Sequence, residues 1–249
     1  MSLFSNDKAN PALESGFEKV KGTHYSQVMT IKGSIVKTIL LLIALGSSAI
    51  VSYLWLEKLG YLNSSLLMGS IIITIILGLT TSFVPKIAWA TAPIYAVAEG
   101  ILLGNISFYA NQYYPGIAML AVLITVLITL SMVMVYAFNP SIGRRFRKAI
   151  IAMTLAVGLL YLLTFVLGLF GITIPYIYGN GPIGIGVSAV ILIIASLNLL
   201  IDLDFIVEMS RYGAPKYMEW YAGFGLMVTL IWIYIRVLDL LMRIFNSRD

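Results

Sequence analysis

The chain has 249 residues, of which 60% are hydrophobic and 11% charged, with a net charge of +5 and a mean hydropathy of +0.95. A soluble domain of this size carries about 25% charged residues, so the composition excludes a water-soluble globule and marks an integral membrane protein. The positive charges gather at the ends of apolar runs, not on one basic face as nucleic acid would require, and the absence of cysteine excludes disulfides, thiolate metal sites and a cysteine nucleophile.

Residues 1–32 form a polar tail holding Lys8, Lys19, Lys21, Lys32 and the single histidine, His24. Its start, MSLFSNDKANPALESGFEKVKG, lacks an apolar core of signal-peptide length. The first span is therefore expected to act as the membrane anchor. A crossing needs roughly 20 apolar residues, and seven runs within 33–249 qualify: about 34–56, 61–83, 87–110, 115–138, 149–174, 183–207 and 220–245. They lack the alternation of a membrane-barrel strand. The fold class is all-α: a polytopic membrane protein with seven transmembrane helices in one domain.

Turn residues separate the runs, with Pro85 and Lys86, Tyr114 and Pro115, Asn139 and Pro140, and GNGP at 179–182. The fourth connector holds Arg144, Arg145, Arg147 and Lys148, whereas 111–114 and 175–182 hold no Lys or Arg. The positive-inside rule then puts the tail in the cytoplasm of a multi-pass cell (inner) membrane protein. Seven crossings leave Arg243 and Arg248 outside, where they fit poorly; a last segment that re-enters without crossing would remove that misfit. Aromatics such as Tyr53, Trp55, Tyr109, Tyr113, Tyr176, Tyr178 and Trp220 sit at span ends as interfacial anchors. Gly100 and Gly104 form a small-xxx-small pair suited to a close helix contact.

Ionisable groups inside spans are tolerated only facing the bundle interior or water. They are Glu99, near the middle of the third span, Asp202 and Asp204 in the sixth, and Arg236 and Asp239 in the seventh. Asp202 lies about 9 Å beyond the middle of its span and Asp204 about 3 Å further. Asn198 and Asp202 share a helix face, and Asp204 stacks with Glu208. Asp202 with Asn198 reads as lining a conduction path. Asp204 reads mostly as the solvated end of the helix, together with Glu208 and Arg211. Arg236 and Asp239 are placed to pair at i, i+3, and Lys37 is long enough to snorkel without a further role.

Buried carboxylates that face one another share protons as a coupled group, or hold a hard cation such as Ca²⁺ through oxygen ligands. Asn105 and Asn198 are candidates to complete such a site. Protonation would remove the charge that attracts the cation. Catalysis has few parts here: no span contains a histidine, and the PIGIG stretch at 182–186 lacks the acid of an intramembrane aspartyl protease motif. No enzymatic activity and no resident cofactor are expected.

The stretch IDLDFIVE, 201–208, resembles the sixth-span D-x-x-x-I-I-E signature of the Bax inhibitor-1 (transmembrane Bax inhibitor motif) family. NPALESGFEKV, MTIKGSIVKT, AEGILLGNIS and APKYMEWYAGFGLMVTLIWIY are similar to its bacterial YccA-like branch. The resemblance implies six helices around a central seventh, and a pH-dependent Ca²⁺ leak governed by an aspartate pair on the sixth and seventh spans. Asp202 matches the first aspartate. The second belongs in a sequence like LYLDIINLF, whose counterpart here, IYIRVLDLL at 233–241, puts Arg236 in its place. With straight helices, the seventh-span residue level with Asp202 is near Leu226.

Three partners are then open to Asp202: Arg236, Glu219 near the inner mouth, or Glu99 across the bundle. An Asp202–Glu99 constellation, with Ca²⁺ as the transported ion, is preferred. The expected function is a pH-sensitive cation (Ca²⁺) leak gated by intramembrane carboxylates, with the lipid bilayer and Ca²⁺ or H⁺ as its partners. The alternative is a non-conducting interaction protein that modulates a membrane protease or a stress response.

Overall fold

The computed structural model describes residues 28–61, 64–172, 179 and 181–247. His24, Tyr176, Tyr178, Arg248 and the tail lysines Lys8, Lys19 and Lys21 lie outside the described residues. Seven helices follow in order: α1 Ile31–Leu59, α2 Ser64–Phe83, α3 Ala88–Tyr113, α4 Ile117–Phe138, α5 Ser141–Leu169, α6 Pro182–Arg211 and α7 Met218–Asn246, with a 3₁₀ turn Pro85–Ile87 before α3. All seven are long and apolar enough to cross a membrane. Among the described residues there is no strand, only an isolated bridge between Val28 and Pro215.

Local chemistry sets the helix ends. The Thr30 side chain accepts the Gly33 N–H at 2.9 Å and caps α1, and Gly60, at φ 76°, closes it in the left-handed conformation. Asn139 and Pro140 turn α4 directly into α5. The expected fourth connector is therefore shorter than the hydropathy implied: Arg144, Arg145, Arg147 and Lys148 lie in the opening turns of α5. Charge lowers mean hydropathy there but does not end a helix, because Arg and Lys have good helix propensity.

The last element is the seventh long apolar helix expected. α7 is one unbroken helix of 29 residues, roughly 44 Å long at the helical rise. It has no break at which the chain could turn back, as a re-entrant segment would need.

α7 packs against α1, α3, α4 and α6, and its residues Met227, Ile233, Tyr234, Val237 and Leu238 belong to the main buried cluster. It thus occupies the central position expected of it. α1 and α3 make the closest contact of the outer helices, and glycine makes it possible. A Cβ at Gly100 would lie 2.3 Å from the Leu45 carbonyl oxygen, and one at Gly104 would lie 2.5 Å from that of Ala49.

The chain just before α1 is fastened to the α6–α7 connector. The Met29 N–H donates to the Ala214 carbonyl at 2.7 Å. Met29 also packs with Ile206 and Ala222 in a second buried cluster. This closes the N-terminal side of the bundle around the first turn of α7.

Candidate functional site

The α6–α7 interface is built from long apolar stretches, and Asp202 stands within it. One carboxylate oxygen, Oδ2, is buried and has no hydrogen-bond partner. The neighbouring polar group is the hydroxyl of Thr229 on α7, itself buried. Among the described residues, no cation pairs with this acid. Depth reasoning put its α7 neighbour near Leu226; the residue that faces it is three positions further along. A count of helical rises from the span ends thus misses the facing residue by about one turn.

Asn198 does not join it. Its amide donates to the Thr154 hydroxyl of α5 at 2.7 Å and to the Ile194 carbonyl at 2.8 Å. One turn of helix separates the two residues, yet Asn198 turns to α5 and Asp202 to α7, because α6 is wedged between those helices.

Glu99 forms a separate site. It is 6% exposed, and its carboxyl meets the hydroxyls of Tyr95, one turn earlier on α3, and Thr74 on α2. Tyr95 packs edge-on against Phe224 of α7, with ring centroids 5.1 Å apart. The preferred Asp202–Glu99 constellation is not formed. The two acids have different partners, and α3 and α6 are not packed neighbours; α7 stands against both. Asn105 turns to α1 as well, with its amide 3.4 Å from Ser52 Oγ and its Oδ1 buried without a partner.

The other two partners considered for Asp202 are also engaged elsewhere. The Arg236 guanidinium donates to the Tyr161 hydroxyl of α5 at 2.5 Å, lies 5.4 Å from the centre of that ring, and reaches Asp239 at 3.8 Å. The expected i, i+3 pair is therefore present. Asp239 is held more tightly by Arg243, whose Nε stands 3.1 Å from both carboxylate oxygens, and by the Ser188 hydroxyl at 2.8 Å. Arg243 also donates to the Gly179 carbonyl at 3.0 Å. The arginine that fitted poorly at this end of the chain is paired.

Glu219, 1% exposed, accepts from the Thr30 N–H and hydroxyl and pairs with Lys216 at 3.2 Å. It serves the start of α1 rather than Asp202.

Asp204 is a correction. It is 4% exposed, not the wet end of the helix. Tyr136 of α4 donates to its Oδ1 at 3.4 Å, Arg144 of α5 approaches at 3.7 Å, and Oδ2 is buried without a partner. One turn on, Glu208 pairs with Arg147 at 3.0 Å. The arginines read as loop charges thus run beside α6 as a two-rung ladder. Lys37 likewise has a partner, the Trp220 ring at 4.7 Å.

Tyr95, Thr74, Tyr161 and Thr229 were not singled out from sequence. A signal existed for Tyr95, which lies at i−4 from Glu99 on the same helix. The others are ordinary residues of apolar runs and become visible only once their neighbouring helices are placed. Among the described residues, no three Asp, Glu, His or Cys side chains gather into a group able to hold a metal ion.

The model of the Bax inhibitor 1 like family matches residues 10–246. The chain belongs to this family. No curated protein and no solved structure gives a significant match. For a Bax inhibitor 1 like protein, the sixth-helix aspartate is the anticipated landmark, and Asp202 stands against the central helix without the acid partner that the resemblance implies. Its α7 counterpart, Arg236, belongs to a different cluster.

Proposed function

We propose that this Bax inhibitor 1 like membrane protein is a proton-responsive cation leak, with Asp202 as the responsive acid and Ca²⁺ as the cargo. One observation carries the reading: at the interface with the central helix, Asp202 keeps a buried carboxylate oxygen with no partner and, unlike Asp204 with its Arg144, pairs with no cation among the described residues. A carboxylate in that setting has no fixed cation to hold its charge, and desolvation couples its ionisation to any water or cation that reaches it. Removing its proton draws a cation and water towards the α6–α7 seam; restoring the proton removes the attraction. A single acid and one threonine hydroxyl make a gate or a transient contact, since a resident Ca²⁺ takes six to eight oxygens. Glu99 is left as a second, independent acid.

The orientation that goes with this reading has the N-terminus in the cytoplasm of a cell (inner) membrane, resting on the Lys and Arg distribution. The proposal includes no catalysis. It is tested by Ca²⁺ flux into dye-loaded liposomes for wild type and Asp202→Asn. The leak is supported by flux that rises with pH in wild type and loses that dependence in the variant.

A second reading is a non-conducting interaction protein that modulates a membrane protease or a stress response. It draws on the internal engagement of the remaining charges, Glu99 by two hydroxyls and Asp239 by Arg243, Arg236 and Ser188. Flux no greater than from empty liposomes, with folded protein, favours it.

A further inference from the structure

Among the described residues, α1 and α4 do not pack side by side, and a cleft of about 630 Å³ opens between them. Its walls include Leu42, Gly46 and Leu54 of α1 and Val122, Val126 and Leu130 of α4; Ile231 and Tyr234 of the central helix lie at its floor. The lining spans residues 42–54 on α1 and 118–130 on α4, about 18 Å along each helix. That is close to one leaflet of a hydrocarbon core roughly 30 Å thick. The cleft begins beside the α3–α4 connector, at Ala118, and ends at Leu130, a little past halfway along α4.

Its few polar groups are satisfied by each other. Ser107 Oγ and the Tyr234 hydroxyl are 2.7 Å apart, and Asn111 donates to the Tyr53 hydroxyl at 2.7 Å. Thr125 and Thr129 donate to the Ala121 and Thr125 carbonyls, each at 2.7 Å. Water would find almost no free partner there, and an apolar cavity without polar partners stays dry. Left empty, the slot would forfeit dispersion contacts along its whole length. Among the described residues, no Lys, Arg, Asp or Glu lines it, so nothing recommends a free fatty acid carboxylate. Nor does it resemble a seat for another helix. This protein makes its close helix contact through Gly100 and Gly104 pressed on backbone, whereas the cleft walls are mostly long aliphatic side chains, and a Cβ at Gly46 would meet nothing within 4 Å.

We propose that the cleft is a lipid site that takes one acyl chain of a bilayer diacyl lipid, its head group beside the α3–α4 connector and its chain laid against α7. The proposal stands apart from the leak. The test uses the full-length protein in bilayers containing a phosphatidylcholine with a photoreactive diazirine on one acyl chain. After irradiation, adducts are mapped by digestion and mass spectrometry. Adducts are expected to concentrate in 42–54 and 118–130, over the exposed α2 face around Ile72 and Ile76, and to fall several-fold in Gly46→Phe and Val122→Trp. Val122→Trp fills the same slot from the rim, so it decides the matter if Gly46→Phe misfolds. Adducts spread evenly over α2 and the cleft would overturn the proposal, as would adducts unchanged in the folded variants. So would displacement of the phospholipid by free palmitate, or an α4 cross-link to a second polypeptide in its place.

Discussion

Glu219 and Thr30 stand 189 residues apart and meet through two hydrogen bonds, the Thr30 N–H and hydroxyl donating to Glu219 Oε1 at 3.0 and 2.9 Å. An acid of the central helix thereby completes the cap of the first helix, where the unpaired N–H groups and the helix dipole favour negative charge. Gly33 makes this possible, because a Cβ there would lie 2.0 Å from Glu219 Oε1.

Gly33→Ala is therefore expected to displace Glu219 and destabilise the protein by about 1–3 kcal/mol, the usual range for overpacking. Glu219→Ala should cost a similar amount through the caps it removes. The double variant should cost clearly less than the sum, because both act on one contact. Thermal unfolding of the four proteins in detergent checks this; strict additivity would mean that the contact contributes nothing.

The α1–α3 contact gives a second expectation. Gly100→Ala and Gly104→Ala push a methyl group against backbone oxygens 2.3 and 2.5 Å away, and each should lower stability by about 1–3 kcal/mol. Gly69→Ala and Gly158→Ala, inside helices with nothing within 4 Å, should be neutral or stabilising by up to about 1 kcal/mol. Equal effects at all four positions would contradict the packing.

Asp239 is the hub of its cluster. Arg236→Ala leaves it with Arg243 and Ser188, whereas Asp239→Ala leaves two partly buried arginines without their acid. Loss of the acid should be the more damaging, by on the order of 2 kcal/mol or more, since removing one partner strands the other charges. Denaturation midpoints of the two variants give the order directly.

The cysteine-free chain permits a clean test of Asp204. A thiol introduced by Asp204→Cys should react with a water-soluble maleimide at least several-fold more slowly than one introduced by Glu208→Cys. Asp204 is buried, whereas the Glu208 side chain is 31% exposed. Equal rates would restore the reading of Asp204 as the solvated end of α6.

All seven helices were legible in the apolar runs, because the bilayer imposes a minimum length that few other constraints mimic. Their ends were less so. The early start of α5 was hidden by Arg144, Arg145, Arg147 and Lys148, which depress hydropathy while remaining helical. The acids themselves stood out, but their partners did not. Which face of α6 looks towards α4, α5 or α7 depends on how those helices are arranged, so Asp204 was misjudged and Asn198 was assigned to the wrong neighbour. Glu219 was noticed for its charge, and its role at Thr30 is a contact between the two ends of the fold that no local pattern announces.

The central claim is that Asp202, and not its neighbour Asp204, responds to protons. The measurement that tests it most directly is Ca²⁺ flux in liposomes between about pH 6 and about pH 8 for wild type, Asp202→Asn and Asp204→Asn. The account predicts flux that increases with pH in wild type and in Asp204→Asn, and a flat profile in Asp202→Asn. A pH response retained in Asp202→Asn, or no flux from folded wild type at any pH, would contradict it.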